Sequence, residues 1–389
     1  MSTNSKIEWT EDTWNPVAGC SMVSEGCRHC YAVAMTHRLG AIAEAAEAKG
    51  KDPGKTAHYK GLTVLNGRDE RHFNGTVRTI ESALDIPLRR KKPTLYFVNS
   101  MADLFHKDVP FEFIDKVFAV MALCPQHTFQ VLTKRPERMA GYMCQKFMPF
   151  ADSHGREESL VNIAEANGIS VELKTPPGHL SEPWGNAAGI PWPLPNVWLG
   201  TSVEDQETAD ERIPHLLKCP AAVRWLSMEP LLGPVDLPDK HAGTICGYGG
   251  RACREKYEHG TSVCGECPLR QSKMFDWVVL GGESGKGARP MHPDWARSVR
   301  DQCAAAGVPF FFKQWGEWVV ATDRACATHG KPWNSRNAYC CWLDLDGRVE
   351  PESSNGLSQQ AFATIRVGKK AAGRLLDGVE HNEYPGDQA

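Results

Sequence analysis

The sequence lacks any apolar run approaching eighteen residues, so it predicts no membrane-spanning helix. Its N-terminal stretch is polar and has no apolar core of the kind a secretory signal needs. Neither sign of charge is in excess. Lys and Arg number 44 against 47 Asp and Glu, for a net charge of -3. No global basic field recruits nucleic acid, and any such contact must be a local patch. There is no internal repeat and no long low-complexity segment, which excludes an array architecture. A nucleotide-binding phosphate loop is missing too. Gly281 to Gly287 imitates one, but Leu280 stands where the first glycine belongs and Gly287 where Ser or Thr belongs.

Cysteine, by contrast, is plentiful: 14 in 389 residues, seven of them in two groups. In a chain this long, that pattern suits metal ligation in a reducing cytoplasm better than disulfides. With 41% hydrophobic residues, the chain can bury a sizeable core as one large domain or two ordinary ones.

The first group is Cys20, Cys27 and Cys30, with six and then two residues between them. A close pair of cysteines can turn both thiolates to one side of a tight loop, and a third nearby makes three ligands. Three is one short of a closed structural zinc site and one short of a fully ligated four-iron cluster. A metal left without a protein ligand can hold a substrate or cofactor. The plainer readings are core cysteines, or half of a zinc site completed from elsewhere. Tyr31 to Ala48 is a good helix former, so the loop enters a helix N-terminus, where backbone N–H groups favour an anionic centre.

Short apolar runs then recur, each followed by a polar group: Leu95–Asn99 by Ser100 and Asp103, Phe129–Thr133 by Lys134 and Arg135, Val197–Thr201 by Glu204. Val223–Ser227 leads to Glu229, Trp277–Leu280 to Glu283, and Phe310–Phe312 to Lys313. Trp14–Ala18 reads as a first strand that delivers the cysteine loop. Helical patterns at Phe111–Cys124, Glu207–Leu217 and His292–Ala306 fall between strands, and Glu81–Arg90 suggests another helix. Alternating strand and helix predicts an α/β fold, a partial or full parallel (β/α) barrel. The C-terminal strand ends of such a barrel converge on one face. Glu204, Glu229, Lys134 and Lys313 are therefore candidates for substrate contact or proton transfer.

Residues 1–320 make up the predicted barrel. Residues 150–195, rich in Gly and Pro, read as a surface insertion. Residues 239–274 form a small cysteine-rich insertion with Cys246, Cys253, Cys264 and Cys267. Four thiolates suit tetrahedral zinc, with an auxiliary iron–sulfur cluster and free thiols as the other readings. Residues 321–389 predict an α+β extension: a hairpin at Tyr339–Val349 and a short basic helix at Val367–Leu376.

The cysteine loop together with Met101–Phe105, Leu132–Pro136, Trp198–Glu204, Leu226–Leu232 and Gly281–Gly285 resembles the phage-associated Gp-thirty-seven/Gp-sixty-eight family of unknown function. That family is similar to radical S-adenosylmethionine (SAM) enzymes. The resemblance covers residues 5 to 320 and a C-terminal piece. It implies a barrel of radical SAM type and a [4Fe-4S] cluster on Cys20, Cys27 and Cys30, with SAM chelating the fourth iron and an electron donor as partner. The radical SAM loop usually has three residues between its first two cysteines, and an aromatic residue where this chain has His29. A Gly-Gly-Glu segment at an early strand end holds the SAM amino group in such enzymes. Here Ser100 and Asp103 have the matching place and Glu283 the matching letters. The phage association makes nucleic acid or a nucleoside the candidate substrate. Two further readings stay open. One is a zinc protein that binds nucleic acid or a partner; the other is a metal-dependent hydrolase or nuclease using Glu204, Glu229 and Asp103.

Overall fold

The computed structural model describes residues 5, 7–67, 70–145, 162–169, 193–238, 275–321, 340–350 and 361–386. The four-cysteine group of Cys246, Cys253, Cys264 and Cys267 lies outside the described residues, as does most of 150–195.

The chain is a mixed α/β protein built on a seven-stranded sheet. Its strands are β1 (Asp12–Trp14), β2 (Leu95–Val98), β3 (Thr128–Thr133), β4 (Val197–Ser202), β5 (Val223–Met228), β6 (Trp277–Gly281) and β7 (Phe310–Gln314). The order in the sheet follows the chain, with β1 and β7 at its edges. The registers β1–β2, β2–β3, β3–β4, β5–β6 and β6–β7 are all parallel. Parallel strands covered on both faces read as continuous apolar runs, and β6 is buried along its whole length.

The expected first strand is corrected. Trp14 ends β1, and Pro16, which has no N–H to donate, breaks the run. Val17–Ala18 then turns away to pair antiparallel with Arg78–Thr79. The helix expected over Glu81–Arg90 is only a 3-10 turn at Glu81–Ala83 followed by turns.

Among the described residues, the longer helices are α1 (Tyr31–Glu47), α2 (Phe111–Leu123), α3 (Pro136–Gln145), α4 (Gln206–Lys218) and α5 (Pro293–Ala306). Helix α2 buries Ile114, Val117, Phe118 and Met121, the i, i+3, i+4, i+7 stripe of a core-facing helix. Helix α5 has a proline at its first position and a left-handed Gly307 (φ 62°) just past its end, the usual punctuation of a helix.

The chain divides into two compact units, residues 1–201 with 219–223 and residues 202–218 with 224–389. In the first, the core is aromatic: Trp14 and Tyr96 both pack on Phe129 with ring centroids 5.6 Å apart, and Trp9 meets Phe97 edge-on at 4.8 Å. In the second, Trp225 and Trp277 lie 5.4 Å apart, and Trp295, Val299 and Cys303 of α5 are buried. This unit also holds an antiparallel sheet of β8 (Trp318–Val320), β9 (Cys340–Leu343), β10 (Val349–Glu350) and β11 (Phe362–Arg366), in the order β8-β11-β9-β10. The expected hairpin is β9–β10. The expected basic helix shrinks to Lys369–Ala372, because Gly368 and Gly373 flank it at positive φ.

Candidate functional site

The cysteine loop begins at a point where only glycine fits. Gly19 has φ 89°, and a Cβ there would sit 2.1 Å from the Thr76 carbonyl oxygen. The loop then winds through a 3-10 turn at Glu25–Cys27, with Cys27 N–H donating to Ser24 O at 3.0 Å and Cys30 N–H to Cys27 O at 3.3 Å. Cys30 is the N-cap residue of α1. The loop therefore enters a helix N-terminus, as its sequence indicated.

All three thiols are half-buried and none is in a disulfide. Burial pushes the Cys20 thiol up to about 12; Asp103 adds to the rise, Arg135 opposes it, and Cys30 and Cys27 add smaller repulsions. Burial likewise raises Cys30, with the charge of Cys27 adding and that of Lys134 opposing. The three sulfurs thus share one electrostatic neighbourhood, and the Lys134–Arg135 turn after β3 sets a cation near two of them. Among the described residues, no three His, Cys, Asp or Glu side chains are gathered closely enough to hold a single metal ion. A lone zinc ion with Zn–S bonds of about 2.3 Å draws its thiolates close together. An iron–sulfur cube takes each thiolate on a separate iron and so spaces them more widely. The donor chemistry, three thiols on one loop of which Cys30 caps α1 while Arg135 lies near Cys20 and Lys134 near Cys30, fits an anionic cluster.

Arg135 ties this loop to the sheet. Its Nη1 donates to Asp103 Oδ2 at 2.8 Å and lies 3.8 Å from Cys20 Sγ. Its Nη2 donates to the Ser21 carbonyl at 3.0 Å and to Ser21 Oγ at 2.9 Å. Ser21 Oγ also meets Nε2 of the fully buried His106 at 2.8 Å. The other ring nitrogen, Nδ1, accepts from Asp108 N–H at 3.2 Å. Burial holds His106 below its usual range, with the Arg135 charge adding to the drop, so the ring is neutral and its proton sits on Nε2. Ser21 Oγ then accepts twice, from Arg135 and from His106.

Asp103 is engaged on every side. Its Oδ1 accepts from Thr133 Oγ1 at 2.7 Å and Phe105 N–H at 2.9 Å. Its Oδ2 accepts from Lys134 N–H at 3.1 Å as well as from Arg135. A carboxylate offers about four acceptor sites, and these partners fill them. Ser100 donates its hydroxyl to Asn15 Oδ1 at 3.1 Å, and its carbonyl accepts from the Tyr31 hydroxyl at 2.6 Å, which ties it to the residue after Cys30.

The expected acids of the second unit each face a cation. Glu204 pairs with Arg212 at 2.9 Å, with both side chains almost fully buried. Glu229 meets Lys313 Nζ at 3.0 Å. A Cβ on Gly281 would lie 2.5 Å from Glu229 Oε1, so glycine leaves room for that carboxylate. Glu283 receives Arg289 Nη2 at 2.7 Å and Nε at 2.9 Å, a two-pronged pair. Glu229 and Lys313 are therefore brought together, while Glu204 and Glu283 are held in separate pairs. Arg135, Ser21, His106, Arg212 and Arg289 were not singled out as site residues from the sequence. Arg135 was marked only by the Leu132–Pro136 motif and by its place after the Phe129–Thr133 run.

The chain belongs to the DUF5131 family, described as a protein of unknown function, whose model matches residues 4–385. No curated protein and no solved structure matches it.

Proposed function

We propose that this member of the family is an iron–sulfur enzyme of radical SAM type. Cys20, Cys27 and Cys30 are the residues that would hold a [4Fe-4S] cluster, and SAM would complete it. When bound, that pair supplies one-electron cleavage of SAM to methionine and a 5′-deoxyadenosyl radical that abstracts hydrogen from a substrate. The single observation that carries the reading is the cysteine loop itself. It gathers three thiols into one electrostatic neighbourhood, with Cys30 capping α1, Arg135 beside Cys20 and Lys134 near Cys30.

The chain's own residues bind, orient and shield. Backbone N–H groups at the start of α1 favour negative charge at the loop. The Tyr31 hydroxyl holds the Ser100 carbonyl, so Ser100 is tied directly to the first residue of the cysteine helix. Asp103 acts on the centre through Arg135, since its acceptor sites are filled from within the chain. Glu229 and Lys313, held 3.0 Å apart, can pass a proton between a substrate and one another. The resemblance to a phage-associated family makes a nucleic acid or nucleoside the proposed substrate, and an external one-electron donor the proposed partner.

The test is metal and product analysis. Protein prepared without oxygen should be brown, carry iron and sulfide, and release 5′-deoxyadenosine when given dithionite and SAM. Cys27→Ala should lose both cluster and product while keeping its circular dichroism spectrum. A colourless protein whose only metal is zinc, even after anaerobic reconstitution, overturns the proposal.

A further inference from the structure

We propose that Arg135 sets the reduction potential of the centre held at Cys20, working against Asp103, which pulls the potential the other way. The inference rests on the iron–sulfur reading above and adds to it a pair of tuning residues outside the ligand set. Neither would touch iron. Both act through Cys20, so they are positioning residues rather than catalytic ones.

The geometry is a three-member line. Asp103 and Cys20 are both placed against Arg135 Nη1, at 2.8 Å and 3.8 Å. The guanidinium cannot swing away, because Nη2 is held by both oxygens of Ser21 and Ser21 is braced by His106. Its side chain is 13% exposed and that of Asp103 7%, so water screens the line weakly. The carboxylate of Asp103 and the guanidinium of Arg135 therefore act on charge at Cys20 with opposite sign. One electron added to the centre adds one negative charge next to this pair. A neighbouring cation favours the reduced form and a neighbouring anion the oxidised form. Removing the cation leaves Asp103 facing the sulfur unopposed. Removing the anion leaves the cation unopposed.

The prediction is a reversal of sign. In the reconstituted full-length protein without SAM, a dithionite titration followed by electron paramagnetic resonance gives the midpoint potential of the cluster. Arg135→Gln should move the midpoint lower and Asp103→Asn should move it higher. Arg135→Gln combined with Asp103→Asn should return close to the native value. Arg135→Lys keeps the charge but loses the two-sided grip, and should fall between native and Arg135→Gln. A purely structural role would alter iron content or fold without shifting the two single variants in opposite directions. If Arg135→Gln does not assemble a cluster, the upward shift in Asp103→Asn still supports the proposal. Single variants that leave the midpoint in place, or move it the same way, overturn the tuning role alone. Native protein that takes up no iron overturns the iron–sulfur reading, and this inference with it.

Discussion

Arg135 and Arg212 make nearly the same ion pair in two units of the molecule and use it differently. Arg212 meets Glu204 at 2.9 Å and Arg135 meets Asp103 at 2.8 Å. Arg212 spends its remaining reach on the carbonyl of Ser202, two residues before Glu204, and on its neighbour Glu211, so the pair is closed within the fold. Arg135 spends its remaining reach on Ser21 and Cys20, more than a hundred residues away in sequence. The same kind of ion pair is thus a fold-holding device in one place and a grip on the cysteine loop in the other. What separates them is where the spare donors point.

The largest expected effect comes from breaking the closed pair. Arg212→Leu leaves the Glu204 carboxylate buried without its cation and should cost about 3–5 kcal/mol of stability in urea unfolding. Glu204→Met added to Arg212→Leu should recover most of that loss, because a well-packed apolar pair replaces a buried ionic one at little net cost. Failure of the second change to rescue would mean that Glu204 does more than balance Arg212.

Next is the entry to the cysteine loop. Gly19→Ala puts a Cβ into the Thr76 carbonyl oxygen and forces an L residue to φ 89°. It should cost about 1–3 kcal/mol and displace Cys20. Iron content after anaerobic reconstitution should fall with it. Full iron loading in this variant would show that the loop does not depend on its tight start.

Arg135→Gln should be milder in stability than Arg212→Leu, and this contrast sharpens the comparison most. Asp103 keeps Thr133 Oγ1 and the N–H groups of Phe105 and Lys134 when the guanidinium goes. A buried carboxylate still holding three donors loses about 1–2 kcal/mol. The same urea experiment on both variants measures the difference. Equal losses would make Arg135 as structural as Arg212.

The sequence made the sheet and the cysteine loop legible for the same reason: both are written in contiguous residues. The strand run Trp277–Gly281 is apolar along its length, Val197–Ser202 is apolar through its first half, and the three cysteines span eleven positions. Helix α3 was hidden because Pro136 looks like a stop when it is in fact the helix's first residue. The first strand was displaced because Pro16 sits inside the apolar run around it. The ion pairs were hidden in two ways. Arg135 finds Ser21 across 114 positions, a distance no local pattern records. Glu204 and Arg212 are only eight apart, and Glu283 and Arg289 only six. Those pairs stayed unseen because an acid after a strand suggests a ligand, while the arginine that neutralises it lies on the following helix or turn.

A third arginine cluster completes the series at its exposed end and gives the smallest effect. Asp377 accepts from Arg297 Nη2 at 2.7 Å and from Arg300 Nη1 at 2.7 Å, with its side chain 39% exposed. Hydrogen bonds from Arg297 and then Arg300 pull its carboxyl down to about 2, below the ordinary 3.8. A carboxylate depressed in the folded state contributes stability that is fully present above its unfolded value and lost as pH falls through its folded value. The window is therefore between about pH 4 and about pH 2. Solvent screening keeps the contribution under about 1 kcal/mol. Asp377→Asn isolates it, because asparagine tolerates the left-handed backbone there (φ 53°) and changes little but the charge. In urea unfolding, the variant should trail the native protein near neutral pH and draw level as the solution is acidified through that window. A gap that stays constant across it would mean the arginines value the shape of residue 377 and not its charge, and the exposed cluster would then share nothing with the grip that Arg135 keeps on the cysteine loop.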